Sequence, residues 1–202
     1  MSRGVILFGS PGAGTTTIGK ELAKQLNYPH IDLDDFHWRW DTDIPYTIMR
    51  SKNERINLIM DAIVEHENFI MSGSMWSIRE SFEPMFNLAV YVYASAKVRA
   101  ERLRSRSFAR WGDRVLAGGD MYQHHEAYRD YYAAALQYDN DESSQSYRAQ
   151  HEQWVRELPC PVLKVDGGKD IQENTARVLN FIAKTNLNIF GEFCNPSEKL
   201  PS

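Results

Sequence analysis

The sequence predicts an α/β protein in which a parallel sheet lies between helical layers. Three observations carry that reading. Short apolar segments alternate with longer stretches whose apolar residues recur at helical spacing. The first apolar segment, Val5-Ile6-Leu7-Phe8, shows no in–out alternation, as befits a strand buried on both faces. It runs into a glycine-rich loop, residues 9–17, and then a helix with Ile18, Leu22 and Leu26 on one side.

Strand, glycine-rich loop and helix are the context of a phosphate-binding loop. The glycines let the backbone curl so that successive N–H groups form an anion nest. The helix N-terminus adds its partial positive charge. The candidate nucleotide-binding residues are therefore Gly9, Ser10, Pro11, Gly12, Ala13, Gly14, Thr15, Thr16 and Thr17. In the pattern GxxxxGK[ST], Thr16 stands at the Mg²⁺-binding hydroxyl and Thr15 at the lysine. The loop thus lacks its usual cation. Lys20 lies about 140° round the helix from Thr15 and Lys24 about 180°, so neither faces the phosphates. Arginines further along the chain are the candidate replacements.

The rest of the chain follows in order. Helix one spans about Thr16 to Leu26 and ends at Asn27-Tyr28-Pro29. His30 to Asp35 reads as a short strand running into an acidic loop. Parallel strands present their C-terminal ends on one side, which brings Asp32 and Asp34 near the glycine loop. Their i, i+2 spacing puts both on one face of an extended segment. One suits Mg²⁺ through water, and the other suits accepting a proton from a substrate hydroxyl. Helix capping is the plainer role for the pair. His37, three residues after Asp34, has no second histidine cluster of matching spacing and does not read as a metal ligand. The loop with Phe36, Trp38, Trp40 and Tyr46 either walls an acceptor pocket or caps the core.

Ile56, Ile59, Met60, Ile63 and Val64 form a core-facing stripe on a helix from Arg50 to Glu67. Arg50 and Arg55 near its start are placed to meet an anionic substrate. Phe69 to Met71 is strand three, ending in Ser72-Gly73, where Gly73 permits close backbone approach. Trp76 and Arg79 follow on a short helical turn. Leu88 to Tyr93 is strand four. Lys97 to Ser107 is a basic helix with Arg102 and Arg106 sharing a face. It follows a strand that ends at the active side, so phosphate binding is a candidate role beside plain solvation. Met121, His125, Tyr128 and Tyr132 keep helical spacing, and so do Tyr147, His151, Trp154 and Leu158. Pro161 to Val165 is strand five, less apolar and nearer an edge. Asp166-Gly167-Gly168 is its exit turn, and Ile171 to Ile182 is the last helix.

These residues together resemble the P-loop small-molecule kinases, the adenylate kinase and shikimate kinase relatives. The resemblance covers residues 4–184. It rests on Gly9 to Thr17, Asp32-x-Asp34, Ser72-Gly73, Arg102-x-x-x-Arg106, Arg148 and the Val165-Asp166-Gly167 turn. It implies a three-layer P-loop fold with a five-stranded parallel sheet and a helical lid. It also implies ATP and Mg²⁺ as cofactors. By resemblance, Thr16 and Asp32 are metal ligands and Asp34 serves the acceptor. Arg102 and Arg106 clamp adenine and phosphates, Arg148 stabilises the transferring phosphate, and Asp166 lines the adenine. Two residues depart from the pattern. Thr15 replaces the lysine, and Ser72 replaces the aspartate of nucleotide kinases, which leans the resemblance away from nucleoside-monophosphate acceptors.

The bulk properties fit one domain over residues 1–184, with a lid at about 107–146 and a tail at 185–202. Cys160 and Cys194 are unpatterned, which suits a reducing compartment. The first apolar run is too short for a signal peptide and no stretch suits a membrane span, so a cytoplasmic location is expected. A formal net charge of −4 argues against nucleic acid as a partner. The leading expectation is an ATP-dependent kinase of a small molecule. The alternative is a catalytically silent nucleotide-binding sensor or regulator, for which Thr15 is the main support.

Overall fold

A computed structural model of the chain describes residues 3–43, 47–122, 137–140, 142–143 and 146–185. Five parallel strands form one sheet: β1 (Arg3–Gly9), β2 (His30–Asp32), β3 (Asn68–Ser72), β4 (Phe86–Tyr93) and β5 (Val162–Asp166). Their order is β2-β3-β1-β4-β5, so β1 is central. Among the described residues six α-helices accompany them: α1 (Thr15–Leu26), α2 (Leu33–His37), α3 (Lys52–Val64), α4 (Ala96–Trp111), α5 (Tyr147–Glu157) and α6 (Ile171–Lys184).

The unbroken apolar run of β1 has a direct structural use. Val5 and Leu7 face one layer, where Ile18 and Leu22 of α1 pack with Val178 and Ile182 of α6. Ile6 and Phe8 face the other, against Ile59 and Ile63 of α3 and Trp154 of α5. All four β1 side chains are fully buried. Strand β5, less apolar than the central β1 and β4, is an edge strand as its composition predicts.

Several boundaries differ from the sequence expectation. Strand β2 stops at Asp32 because the Asp32 carboxylate caps a helical turn, accepting from the Asp34 amide at 3.2 Å. Asp32 and Asp34 therefore do not share one face of an extended segment. Helix α3 starts later, capped by Ser51, and Val64 is exposed rather than packed in the core. Helix α4 continues to Trp111, past the expected start of the lid at 107. The rest of the lid region lies largely outside the described residues, as do His125, Tyr128 and Tyr132 and the tail from 186 onward.

Gly9, the last residue of β1, lies hard against β4. A Cβ there would stand 2.0 Å from the Val92 carbonyl oxygen. Gly9→Ala must therefore push β1 and β4 apart where they carry the loop. The expected cost is about 1–3 kcal/mol, as for other overpacked sites, read as a lower urea midpoint.

Candidate active site

The glycine loop forms as its sequence requires. Gly12 (φ 81°) and Gly14 (φ 105°) take left-handed conformations, and the Ala13 amide donates to the Ser10 carbonyl at 3.0 Å. Among the described α-helices, α2 to α6 each begin with a capping side chain: Asp32, Ser51, Ser95, Ser146 and Asp170. Helix α1 begins at Gly14 with none. Its first-turn amides have no partners within the helix and are aimed out of its N-terminus, the arrangement an anion needs. The Ser10 hydroxyl is buried within the same loop without a hydrogen-bond partner. These features fit a polyphosphate. Thr16 and Asp32 supply the hydroxyl and carboxylate oxygens that suit Mg²⁺.

The neighbours hold the loop closely. A Cβ at Gly12 would stand 3.0 Å from the Arg99 carbonyl oxygen and 3.1 Å from Leu103 Cγ, both on α4. A Cβ at Gly167, in the turn after β5, would stand 2.0 Å from the Ala13 carbonyl oxygen. The Gly167 amide donates to the Tyr93 carbonyl, and Asp166 Oδ1 accepts from the Gly168 amide at 2.8 Å. Asp166 thus shapes the turn that presses on the loop. A groove of ≈ 390 Å³ runs from Thr16 and Thr17 along Lys20 and Lys24 to Ile171 and Gln172.

The arginines divide. Arg102 Nη1 lies 3.3 and 3.2 Å from the Gly12 and Ala13 carbonyls and 3.4 Å from where a Gly14 Cβ would sit. Arg106 is close enough to Asp34 to favour its ionised form. Arg148 is held instead by Glu152 (2.8 Å) and the Asp139 carbonyl (3.0 Å). The loop, Arg102, Arg106, Asp32 and Asp34 therefore gather at one end of the sheet, and Arg148 is engaged by its own helix and the segment before it.

Asp34 is raised to about 6, first by loss of hydration to the surrounding protein and then by the Asp32 charge. Asp34 is itself exposed, so its carboxyl is crowded at the surface rather than sealed in the core. His37, beside it on α2, is lowered to about 4 by burial and by Arg55. Arg55 is only 5% exposed. Its Nη1 meets His37 Nδ1 at 3.2 Å and its Nη2 donates to Ser77 Oγ at 3.3 Å, while Nε is buried without a partner. No carboxylate pairs with it among the described residues. Arg50, expected near an anionic substrate, instead donates to the Asp35, Phe36 and Trp38 carbonyls at the end of α2. The aromatic loop after α2 folds back through a Trp38–Met49 bridge. Trp40, Ile48 and Met49 are exposed there and do not cap the core.

The sequence reading missed the His37–Arg55–Ser77 cluster and weighed His37 only as a metal ligand. It also missed the contact of His30 Nε2 with Ser72 Oγ at 2.9 Å beneath α1. Among the described residues no group of three or more His, Cys, Asp or Glu side chains is placed to hold a metal ion. No helix among them is long and apolar enough to cross a membrane.

The raised Asp34 makes a signed prediction. Its folded-state pKa lies above the unfolded value, so ionising it between pH 4 and about 6 erodes stability. Asp34→Asn removes that loss. The variant should gain stability relative to the parent as pH rises through this window, with a constant difference above it, read by denaturation at each pH.

A family profile described as AAA domain (AAA_18) matches residues 5–110. The uncharacterized protein YqaC of Bacillus subtilis (strain 168) is 33% identical over 183 residues, covering 91% of this chain and 99% of YqaC. Shikimate kinase 2 of Yersinia pseudotuberculosis is 29% identical over 111 residues, covering 51% of this chain and 64% of that enzyme. Among solved structures, a shikimate kinase from Acinetobacter baumannii in complex with shikimate aligns with a TM-score of 0.53 at 14% identity. That alignment covers 93% of this chain and 96% of the other. A gluconokinase from Sinorhizobium meliloti 1021 aligns equally, at 0.53 and 18% identity over 93% and 95%. Those two likenesses show the fold. The profile match over half the chain, and the relative aligned along nearly all of it, show that the chain belongs to this AAA domain family of P-loop proteins, distantly related to the small-molecule kinases.

Proposed function

We propose that the chain is an ATP-dependent phosphotransferase whose acceptor carries a hydroxyl and, apart from it, an anionic group. The observation that carries this reading is the uncapped start of α1, facing the same cleft as the raised carboxyl of Asp34. The amides of Gly12 and of residues 14–17 bind the β- and γ-phosphates. The turn at Asp166–Gly168, which presses on the loop, lines the adenine. Mg²⁺, held by Thr16 and through water by Asp32, would neutralise phosphate charge. Asp34 takes the proton of the acceptor hydroxyl as its oxygen bonds to the γ-phosphorus, and ADP leaves. Asp34 then returns the proton to water. Arg102 and Arg106 replace the cation lost at Thr15, and Arg148 joins them when it leaves Glu152.

Arg55 gives the acceptor its charge class. A buried guanidinium without a carboxylate is costly. An anionic acceptor group supplies the missing partner and leaves its hydroxyl toward Asp34.

A second reading, a nucleotide binder that does not catalyse, draws on one observation. Arg102 rests on loop carbonyls rather than being held ready by a partner beyond the loop.

Thermal-shift assays with Mg·ATP and ADP should raise the melting temperature, because a ligand bound only by the folded state stabilises it. A panel of hydroxy-carboxylates and hydroxyl-bearing phosphate monoesters, set against neutral polyols, should show transfer to the hydroxyl of the anionic compounds and not to the polyols. Arg106→Met should lower kcat roughly 100-fold, in line with loss of a transition-state donor, with ADP affinity little changed. Arg55→Met should raise the acceptor KM alone. Nucleotide binding without transfer to any acceptor, together with hydrolysis gained by Thr15→Lys, would establish the silent binder instead.

A further inference from the structure

We propose that Asp139 is a positioning residue for the phosphate loop, acting through Arg99. The proposal rests on the nucleotide-binding reading but concerns residues outside the cleft. Arg99 is completely buried in the first turn of α4. Its Nη2 meets Asp139 Oδ2 at 2.7 Å and its Nε donates to the Ala94 carbonyl at 3.0 Å. The backbone of the same residue forms the wall on which Gly12 rests, its carbonyl oxygen 3.0 Å from where a Gly12 Cβ would stand. Any shift of this turn therefore moves the loop.

Asp139 is fixed from several directions. The Tyr138 hydroxyl beside it joins Tyr91 of β4 (2.8 Å) and His151 of α5 (2.9 Å). The Asp139 carbonyl accepts from Arg148 at 3.0 Å. One short segment thus ties β4, α4 and α5 together and touches both the wall of the loop and a candidate phosphate-facing arginine. A buried ion pair is weak as a source of stability, and a role in fixing geometry is its better-attested use. Fixing the turn of α4 also fixes Arg102, one turn on.

Asp139→Asn keeps the backbone carbonyl and the shape but removes the charge that holds Arg99. Asp120→Asn, which breaks the exposed Arg114–Asp120 pair, is the control. Amide hydrogen exchange of the nucleotide-free full chain is the primary readout. Asp139→Asn should speed exchange at least 5-fold at the hydrogen-bonded amides of the loop and its helix start, Ala13 and Ile18, and leave α6 unchanged, and Asp120→Asn should change none of these. Arg99→Lys should reproduce the effect, and the double variant should add nothing to it. With mant-ADP as probe, dissociation should be several-fold faster in Asp139→Asn at a temperature well below its melting point. Unchanged exchange at Ala13 and Ile18, or faster exchange spread evenly over the chain, would overturn the proposal. A parent protein that does not bind mant-ADP would instead sink the kinase reading, and the exchange comparison would still decide whether Asp139 sets the loop.

Discussion

The structure depends on close backbone approach around the glycine loop. Three neighbours come nearer than any side chain would allow or leave no slack: β4 at Gly9, α4 at Gly12 and the turn after β5 at Gly167. A loop that must present its amides to an anion cannot use those amides to hold itself in place. Its shape has to come from outside. Here it comes from the main chain of three separate elements pressed against it, each of which accepts a glycine and nothing larger without moving.

That packing explains why the strand ahead of the loop is apolar throughout. β1 is covered by α1 and α6 on one face and by α3 and α5 on the other. A strand gripped on both faces delivers Gly9 to a fixed point. Everything after it follows from that point, including the direction of α1 and the position of its uncapped N-terminus. The other helices use serine or aspartate caps to stop their first amides seeking partners. In α1 that satisfaction is left to a ligand, and the stability forgone is the counterpart of binding.

The sequence made much of this legible. The periodicity of apolar residues located the five strands, and the glycine spacing located the loop, because both are set by local geometry. The capping role of Asp32 was open in the sequence beside a metal role, because one residue type serves both, and only the fold reveals which amide lies within reach. Val64 carried the right spacing but lay at the end of its helix, where the core has already curved away. The Arg55 cluster joins residues from α2, α3 and the turn after β3, and no spacing rule connects them. Arg99 looked like one more charge on a basic helix; it is buried and pairs with Asp139, forty positions further along.

The division of arginines follows from the missing lysine. A lysine in the loop would carry its charge on the same backbone that binds the phosphate, so its position would need no other element. With Thr15 in its place, positive charge arrives from α4, and its placement depends on how α4 sits on the loop. Arg102 reaches the loop carbonyls and Arg106 reaches toward Asp34 because the two are one helical turn apart on a single face. The helix therefore runs from the glycine loop to the neighbourhood of Asp34. Charge and geometry, separable in a loop with its own lysine, are joined here through the contact between Gly12 and the first turn of α4.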